Sequence, residues 1–370
     1  MLGTPSYPVQ LVQPDGRRVL DREHAAVVAD IGPAELRDLY EDLVVNRRID
    51  TEATALQRQG QLGLWAPLLG QEAAQVGSAR ALHPYDYVFC SYREAAVAYC
   101  RGVDPAQLTR MWRGVAHSCW DPDAINMTNP AIVVGAQGLH ATGYAFAAHL
   151  EGADIATIAY FGDGATSQGD IAEALGFAAS WSAPVVFFCQ NNHWAISEPV
   201  CLQSATPIAQ RALGYGIPAV QVDGNDVLAV LAVTRQALTR AHTGGGPSFI
   251  EAITYRMGPH TTADDPTRYR SAAETEEWKK RDPIDRVHRL LERENLLDAE
   301  FEQRVRTRAD EVAAVVRTAT IEMADPAPMA LFDHVYSSEH PLIAAQRREY
   351  AQYLAADPDG QGTHTEGVAS

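Results

Sequence analysis

The chain has 370 residues, 46% of them hydrophobic and 21% charged, with a formal net charge of −17. That composition gives a globular chain ample apolar surface for a core, while the acidic balance and the lack of any Lys/Arg cluster exclude a duplex nucleic-acid footprint. The five cysteines, Cys90, Cys100, Cys119, Cys189 and Cys201, show no CxxC spacing, so a reduced, cytoplasmic setting is expected rather than a disulfide framework or zinc site, and neither a signal peptide nor an apolar run of membrane-spanning length is found.

Residues 1–30, with Pro5, Pro8, Pro14 and a "PDG" turn, read as an extended arm. Apolar residues at helical spacing, Leu36, Leu39, Leu43, Ile49, Ala53 and Leu56, predict a helix over 32–60 that ends at Gly60. "GQEAAQVGSARAL", 70–82, predicts a second helix, rich in small residues that allow close helix approach. The acids of "HPYDYVF" read as turn residues. From about residue 130 the pattern is α/β: strands over 154–161, 183–190, 216–224 and 246–257, with helices over 170–181 and 227–242. Strands apolar on both faces and alternating with helices predict a parallel sheet covered by helices on both faces. After 258–270 the chain turns charged and helical, which predicts peripheral helices, and the last fifteen residues are expected to be disordered. The expected division is an arm over 1–30, one domain with its C-terminal helices over 31–335, and a helix with a tail over 336–370.

"YFGDGATSQGD", 160–170, sets Asp163 between two glycines at the end of an apolar strand. The next strand ends in "QNNHWAIS", 190–197. In a right-handed crossover the carboxyl ends of two such strands lie near one another, where open α/β sheets bind ligands. A carboxylate and an amide oxygen are hard donors that suit Mg²⁺ or Ca²⁺, with phosphate oxygens completing the shell. The adjacent helix start offers free N–H groups to anions. GDG and NN are each common turn signals; their joint placement in one β-α-β unit gives them weight. Neither a GK[ST] phosphate loop nor a G-x-G-x-x-G fingerprint is present.

"GDGATSQGDIAEALGFAASWSAPVVFFCQNN" resembles the thiamine diphosphate motif, GDG followed by NN. With "GQEAAQVGSARAL", "SYREAAVAY", "IVVGAQGLHATG" and "RMGPHTTADDPTRYR", residues 35–330 resemble the α subunit of the two-subunit first component of 2-oxo acid dehydrogenases. The resemblance implies a thiamine diphosphate-binding fold and decarboxylation of a branched-chain 2-oxo acid or pyruvate, with acyl transfer to a lipoyl-bearing acyltransferase. It implies Mg²⁺ on Asp163, Asn192 and the Trp194 carbonyl, and diphosphate contacts from Gly164, Ala165, Tyr92, Arg93, Arg256 and His260. The backbones of Ile132 and Val134 would hold the aminopyrimidine, and His260 would face the reacting carbon. Gln190 departs from relatives that carry arginine there. The activating glutamate and a second sheet domain are absent, which implies a β subunit in an assembly of two α with two β. Left alone, the 70–82 helix and the apolar faces of the sheet domain are expected to be partly exposed, leaving the chain prone to aggregate. "LWAPLLGQE", 64–72, is apolar and suits a branched aliphatic chain.

Two other readings bear on the same residues. A nicotinamide-dependent oxidoreductase would carry the glycine-rich fingerprint that is missing. A non-catalytic interaction subunit would have lost the set Asp163, Asn192, Arg93 and His260, which is intact.

Overall fold

The computed structural model describes residues 8–356; the C-terminal tail expected to be disordered and the first seven residues of the arm lie outside the described residues. The chain divides into two units, residues 1–322 and 323–370. In chain order the first unit holds α1 (Arg22–Val27), α2 (Pro33–Arg58), α3 (Glu72–Ala79), β1 (Tyr87–Phe89), α4 (Ala136–Glu151), β2 (Thr157–Gly162), α5 (Gly169–Trp181), β3 (Val185–Asn191), β4 (Ala219–Asp223), α6 (Val227–His242), β5 (Ser248–Ile253), α7 (Pro283–Arg293) and α8 (Ala299–Glu322). The second unit holds a short turn of helix, Pro328–Phe332, and α9 (Pro341–Ala356), whose described side chains are none of them buried.

The five strands form one parallel sheet in the order β1-β2-β3-β5-β4. Successive side chains of a strand point to opposite faces, and here the two faces feed separate cores. Val88, Ile158, Tyr160, Val186, Phe188 and Ile250 pack with α2, α3 and α6. Phe89, Ala159, Phe161, Val185, Phe187 and Phe249 pack with α4 and α5. Burial on both faces is why the strands read as continuous apolar runs. β1 carries no strand signal in the sequence: it is three residues long, too short for a period, and is held by pairing Tyr87, Val88 and Phe89 with β2.

Helix α3 is shorter than the 70–82 span, and its surroundings correct an expectation. Every residue from Glu72 to Ala79 is buried within the chain itself. A Cβ at Gly77 would lie 2.7 Å from the Val227 carbonyl and 3.0 Å from Val230, so the small-residue face is already filled by α6. An exposed aromatic surface lies instead on α4 and α5, at Tyr144, Phe177 and Trp181. There Phe146 and Phe177 stack on Trp181 with ring centroids 4.4 and 4.7 Å away.

The arm is extended only in part. Val9 pairs in parallel with Val222 on the outer edge of β4, and the amides of Leu11 and Val12 donate to Asp226 Oδ2 at 2.7 and 2.6 Å. Residues 22–27 are helical because Asp21 caps them, its side chain accepting from the His24 amide. Of the charged C-terminal helices, α8 lays Phe301, Val305, Ala309, Val312 and Val316 into the core that it shares with α2. No helix among the described residues is long and apolar enough to cross a membrane.

Candidate functional site

The register brings three strand ends together. Gly162 pairs with Gln190, and Asn191 pairs with Ile253, so the segments leaving β2, β3 and β5 emerge side by side. Asp163 follows β2, Asn192 and Trp194 follow β3, and Arg256 follows β5. These segments and the loops at 64–71, 91–94, 130–135 and 260–261 line a cavity of about 420 Å³. All eleven residues singled out from the sequence border it: Tyr92, Arg93, Ile132, Val134, Asp163, Gly164, Ala165, Asn192, Trp194, Arg256 and His260.

Asp163 begins a short 3₁₀ turn, Asp163–Ser167, that precedes α5. Its Oδ2 accepts from Gln203 Nε2 at 3.1 Å. Burial pushes its carboxyl up to about 6, against the Gln203 hydrogen bond and the attraction of Arg256. Asn192 Nδ2 donates to Gln71 Oε1 at 3.1 Å, which turns Asn192 Oδ1 toward the 192–194 turn, where it accepts from the Trp194 amide at 3.3 Å. The Trp194 carbonyl accepts from Arg256 at 2.9 Å and keeps a second lone pair. A buried carboxylate, an amide oxygen and a carbonyl are an oxygen-only donor set that fits a hard divalent cation sharing its shell with phosphate oxygens. Gly164 has a packing reason as well: a Cβ there would stand 2.6 Å from that of Ala195.

The other wall is cationic. Arg93 and Arg256 are 6% and 1% exposed, and neither forms an ion pair with a carboxylate among the described residues. Arg93 donates to the carbonyls of Pro67 and His260, at 2.5 and 2.9 Å. Arg256 donates to Trp194, to the Ile196 carbonyl at 2.7 Å and to the Tyr269 hydroxyl at 3.0 Å. Both guanidiniums also approach His260 Nδ1, at 3.3 and 3.4 Å. Two donors on Nδ1 leave the ring proton on Nε2. Burial, then the two arginine charges, hold His260 down to about 4, so the ring is neutral near pH 7. Burial and the neighbouring Arg93 likewise lower Arg256, to about 10. Two buried cations facing one cavity suit a multiply charged anion. Tyr92 stands edge-on to His260, with ring centroids 6.0 Å apart, and beneath the Arg93 guanidinium.

Ile132 and Val134 are more than a third exposed, on the loop that enters α4 at Gly135. Gln190, the departure from an arginine, turns inward: its Nε2 donates to Glu94 Oε1 at 2.6 Å. Glu94 is wholly buried, also accepts from the Ser91 amide and hydroxyl, and is raised by burial. Gln71 Nε2, Gln137 Oε1 and Gln190 Oε1 border the cavity or its wall and are buried with no hydrogen-bond partner among the described residues. Gln71, Glu94, Gln137 and Gln203 carry no role in the sequence reading. Gln71, Glu94 and Gln137 lie inside quoted motifs, "GQEAAQ", "SYRE" and "GAQG", where a polar residue within an apolar stretch was the available signal. Gln203 carries no such signal.

A profile described as "Dehydrogenase E1 component" matches residues 40–329. The chain is 46% identical over 349 residues, 94% of either chain, to the 3-methyl-2-oxobutanoate dehydrogenase subunit alpha of Mycobacterium tuberculosis (strain ATCC 25618 / H37Rv). It is 41% identical over 311 residues, 83% of either chain, to the pyruvate dehydrogenase E1 component subunit alpha of Staphylococcus aureus (strain N315).

Proposed function

Because the chain belongs to the dehydrogenase E1 component family, we propose that it is the α subunit of a 2-oxo acid dehydrogenase. It acts with a β subunit, in an assembly of two α with two β, and passes an acyl group to a lipoyl-bearing acyltransferase. The observation that carries this reading is the meeting of an oxygen-only donor set with two buried guanidiniums that lack carboxylate partners, at one end of a parallel sheet.

Asp163, Asn192 Oδ1 and the Trp194 carbonyl would hold Mg²⁺. Arg93 and Arg256 would neutralise the diphosphate, Tyr92 would hydrogen-bond to it, and the Gly164 and Ala165 amides would approach it. The Ile132 and Val134 backbones would hold the aminopyrimidine. When bound, thiamine diphosphate supplies the electron sink for decarboxylation. His260, neutral with its proton on Nε2, serves as a hydrogen-bond donor toward anionic oxygens and can exchange that proton during acyl transfer. Burial of the arginines excludes water and strengthens their hold on charge.

The substrate we propose is a branched-chain 2-oxo acid. Leu64, Ala66 and Trp112 supply an apolar part of the cavity wall, which suits a branched aliphatic tail. The relative with the larger shared span also carries a branched-chain name. Five unpaired thiols support a cytoplasmic setting. The test is decarboxylation of a panel of 2-oxo acids after co-expression with a β partner. Higher kcat/KM for 3-methyl-2-oxobutanoate than for pyruvate is the expected result. The reverse order assigns pyruvate, and no turnover of any 2-oxo acid overturns the reading.

A further inference from the structure

The opposite rim of the sheet, where the strands begin, carries a second constellation. His83 and Asp86 stand just before β1, Asp154 lies before β2, and His242 is the last residue of α6. One potential ligand atom from each of His83, Asp86 and His242 lies within 4.8 Å of the others. Asp86 is more than the turn residue its sequence suggests: its side chain is fully buried. Its Oδ2 accepts from the His83 amide at 2.8 Å and its Oδ1 from the Ala156 amide at 3.2 Å. Arg101 reaches the backbone carbonyl of Asp86, not its carboxylate.

His242 supplies the decisive geometry. Its Nδ1 lies 2.7 Å from Asp154 Oδ1, so a neutral ring donates there and carries its lone pair on Nε2. That Nε2 lies 3.0 Å from Asp86 Oδ1, yet it is buried and makes no hydrogen bond among the described residues. A lone pair set against a buried carboxylate oxygen is repulsive unless a proton or a metal cation stands between them, and the absence of hydrogen-bond geometry at Nε2 favours the metal. The pattern of a carboxylate on one imidazole nitrogen and an unengaged second nitrogen is how metal-bound histidines are oriented. The His83 ring lies beside that of His242, with centroids 4.8 Å apart, and Tyr85 flanks both.

We propose that His83, Asp86 and His242 bind a divalent cation of the zinc class, with Asp154 orienting His242 and water completing the shell. Two imidazoles and a carboxylate favour Zn²⁺, Co²⁺ or Ni²⁺ over Mg²⁺. No cysteine takes part, so the cysteine spacing carried no trace of this site. Ligand atoms about 2.0–2.1 Å from Zn²⁺ stand roughly 3.3 Å apart, so the exposed His83 closes on the ion by a small movement. The ion would tie the C-terminal end of α6 to the start of β1, far from the cavity at the other end of the strands.

The test uses the full chain in its αβ complex, saturated with Mg²⁺ and thiamine diphosphate so that the oxygen-donor site is filled. Co²⁺ is titrated and its visible d–d absorption recorded, and bound zinc is counted by elemental analysis. One equivalent per α chain is expected, with a Zn²⁺-dependent rise in melting temperature. His83→Ala removes both signals, and Asp154→Asn weakens affinity about 10- to 100-fold. His83→Ala, which changes an exposed side chain, keeps the test valid if His242→Ala fails to fold. Equal binding by wild type and His83→Ala overturns the site. So does a melting temperature unmoved by Zn²⁺ and by chelator, which would leave a protonated His242 bridging Asp86 and Asp154. The readout is metal content, independent of any 2-oxo acid turnover.

Discussion

At the scale of single residues, the proposed roles around the cavity are separable by substitution. Asp163→Ala removes the one carboxylate of the proposed Mg²⁺ site and should weaken cofactor binding at least about tenfold, or roughly 1.4 kcal/mol; isothermal titration of thiamine diphosphate with Mg²⁺ into the αβ complex measures it, and unchanged affinity removes Asp163 from the site. His260→Ala should lower acyl transfer to a lipoyl domain about 10²-fold while leaving the melting temperature nearly unchanged. A lowered melt with a normal rate per folded molecule would make His260 a structural residue. Asp50 offers a pH prediction. It is fully buried in α2, where Oδ1 accepts from the Trp65 indole at 2.7 Å and the Leu68 amide at 3.0 Å, and burial raises its carboxyl from 3.8 to about 6. The fold therefore binds this proton more tightly than the unfolded chain does. Its contribution is fully present below pH 3.8 and is lost as pH rises through 6, a difference of about 3 kcal/mol. Asp50→Asn should flatten that fall, so the stability gap between variant and wild type should widen in the variant's favour from pH 4.5 to 7.5. A gap independent of pH would show that Asp50 does not titrate in this range.

At the scale of elements, much was legible because the signals were local and strong. The run Ile155–Phe161 announces β2 by its apolar residues, and Leu36 to Leu56 announce α2 by their spacing. What escaped depends on partners distant in sequence. Tyr87–Phe89 becomes a strand only because β2 lies beside it. The burial of Asp86 depends on segments distant in sequence, which bring the Ala156 amide and the His242 ring beside it. In the cavity, GDG and NN were readable as motifs, whereas the inward turn of Gln190 onto Glu94 needed the fold. Asp226 belongs to the same class. One oxygen caps α6 through the amides of Leu228 and Ala229, both at 3.1 Å, while the other takes the amides of Leu11 and Val12 from the arm. Asp226→Ala removes a helix cap and strands buried N–H groups, at a cost of about 3 kcal/mol or more. Chemical denaturation should report that loss, with proteolysis near residues 8–20 increasing. A variant as stable as wild type would mean that the arm is held by other contacts.

At the scale of the whole molecule, the proposed function puts part of a cofactor site on this chain and the rest on a β partner. The purified chain without a β subunit should show no 2-oxo acid decarboxylation, and robust turnover by the isolated chain would contradict the assembly proposed above. Its tendency to aggregate should arise from α4 and α5, where Tyr144, Phe177 and Trp181 are 39%, 42% and 38% exposed, and not from the buried α3. Phe177→Lys should then reduce light scattering by the isolated chain. Equal scattering would move the sticky surface elsewhere.

The arm on the outer edge of β4 also sets an order of events during synthesis. Leu11 meets Asp226 across 215 residues of sequence, and Arg286 reaches the Val12 carbonyl across 274. The arm precedes all of these partners in the chain and is thus among the last segments to find its place, because its docking groove is incomplete until α7 has emerged. Until then β4 is a bare sheet edge, open to pairing with a neighbouring nascent chain. Slowing translation just before residue 283 should therefore raise the insoluble fraction, and supplying the arm as a separate peptide should restore solubility to a chain that lacks it.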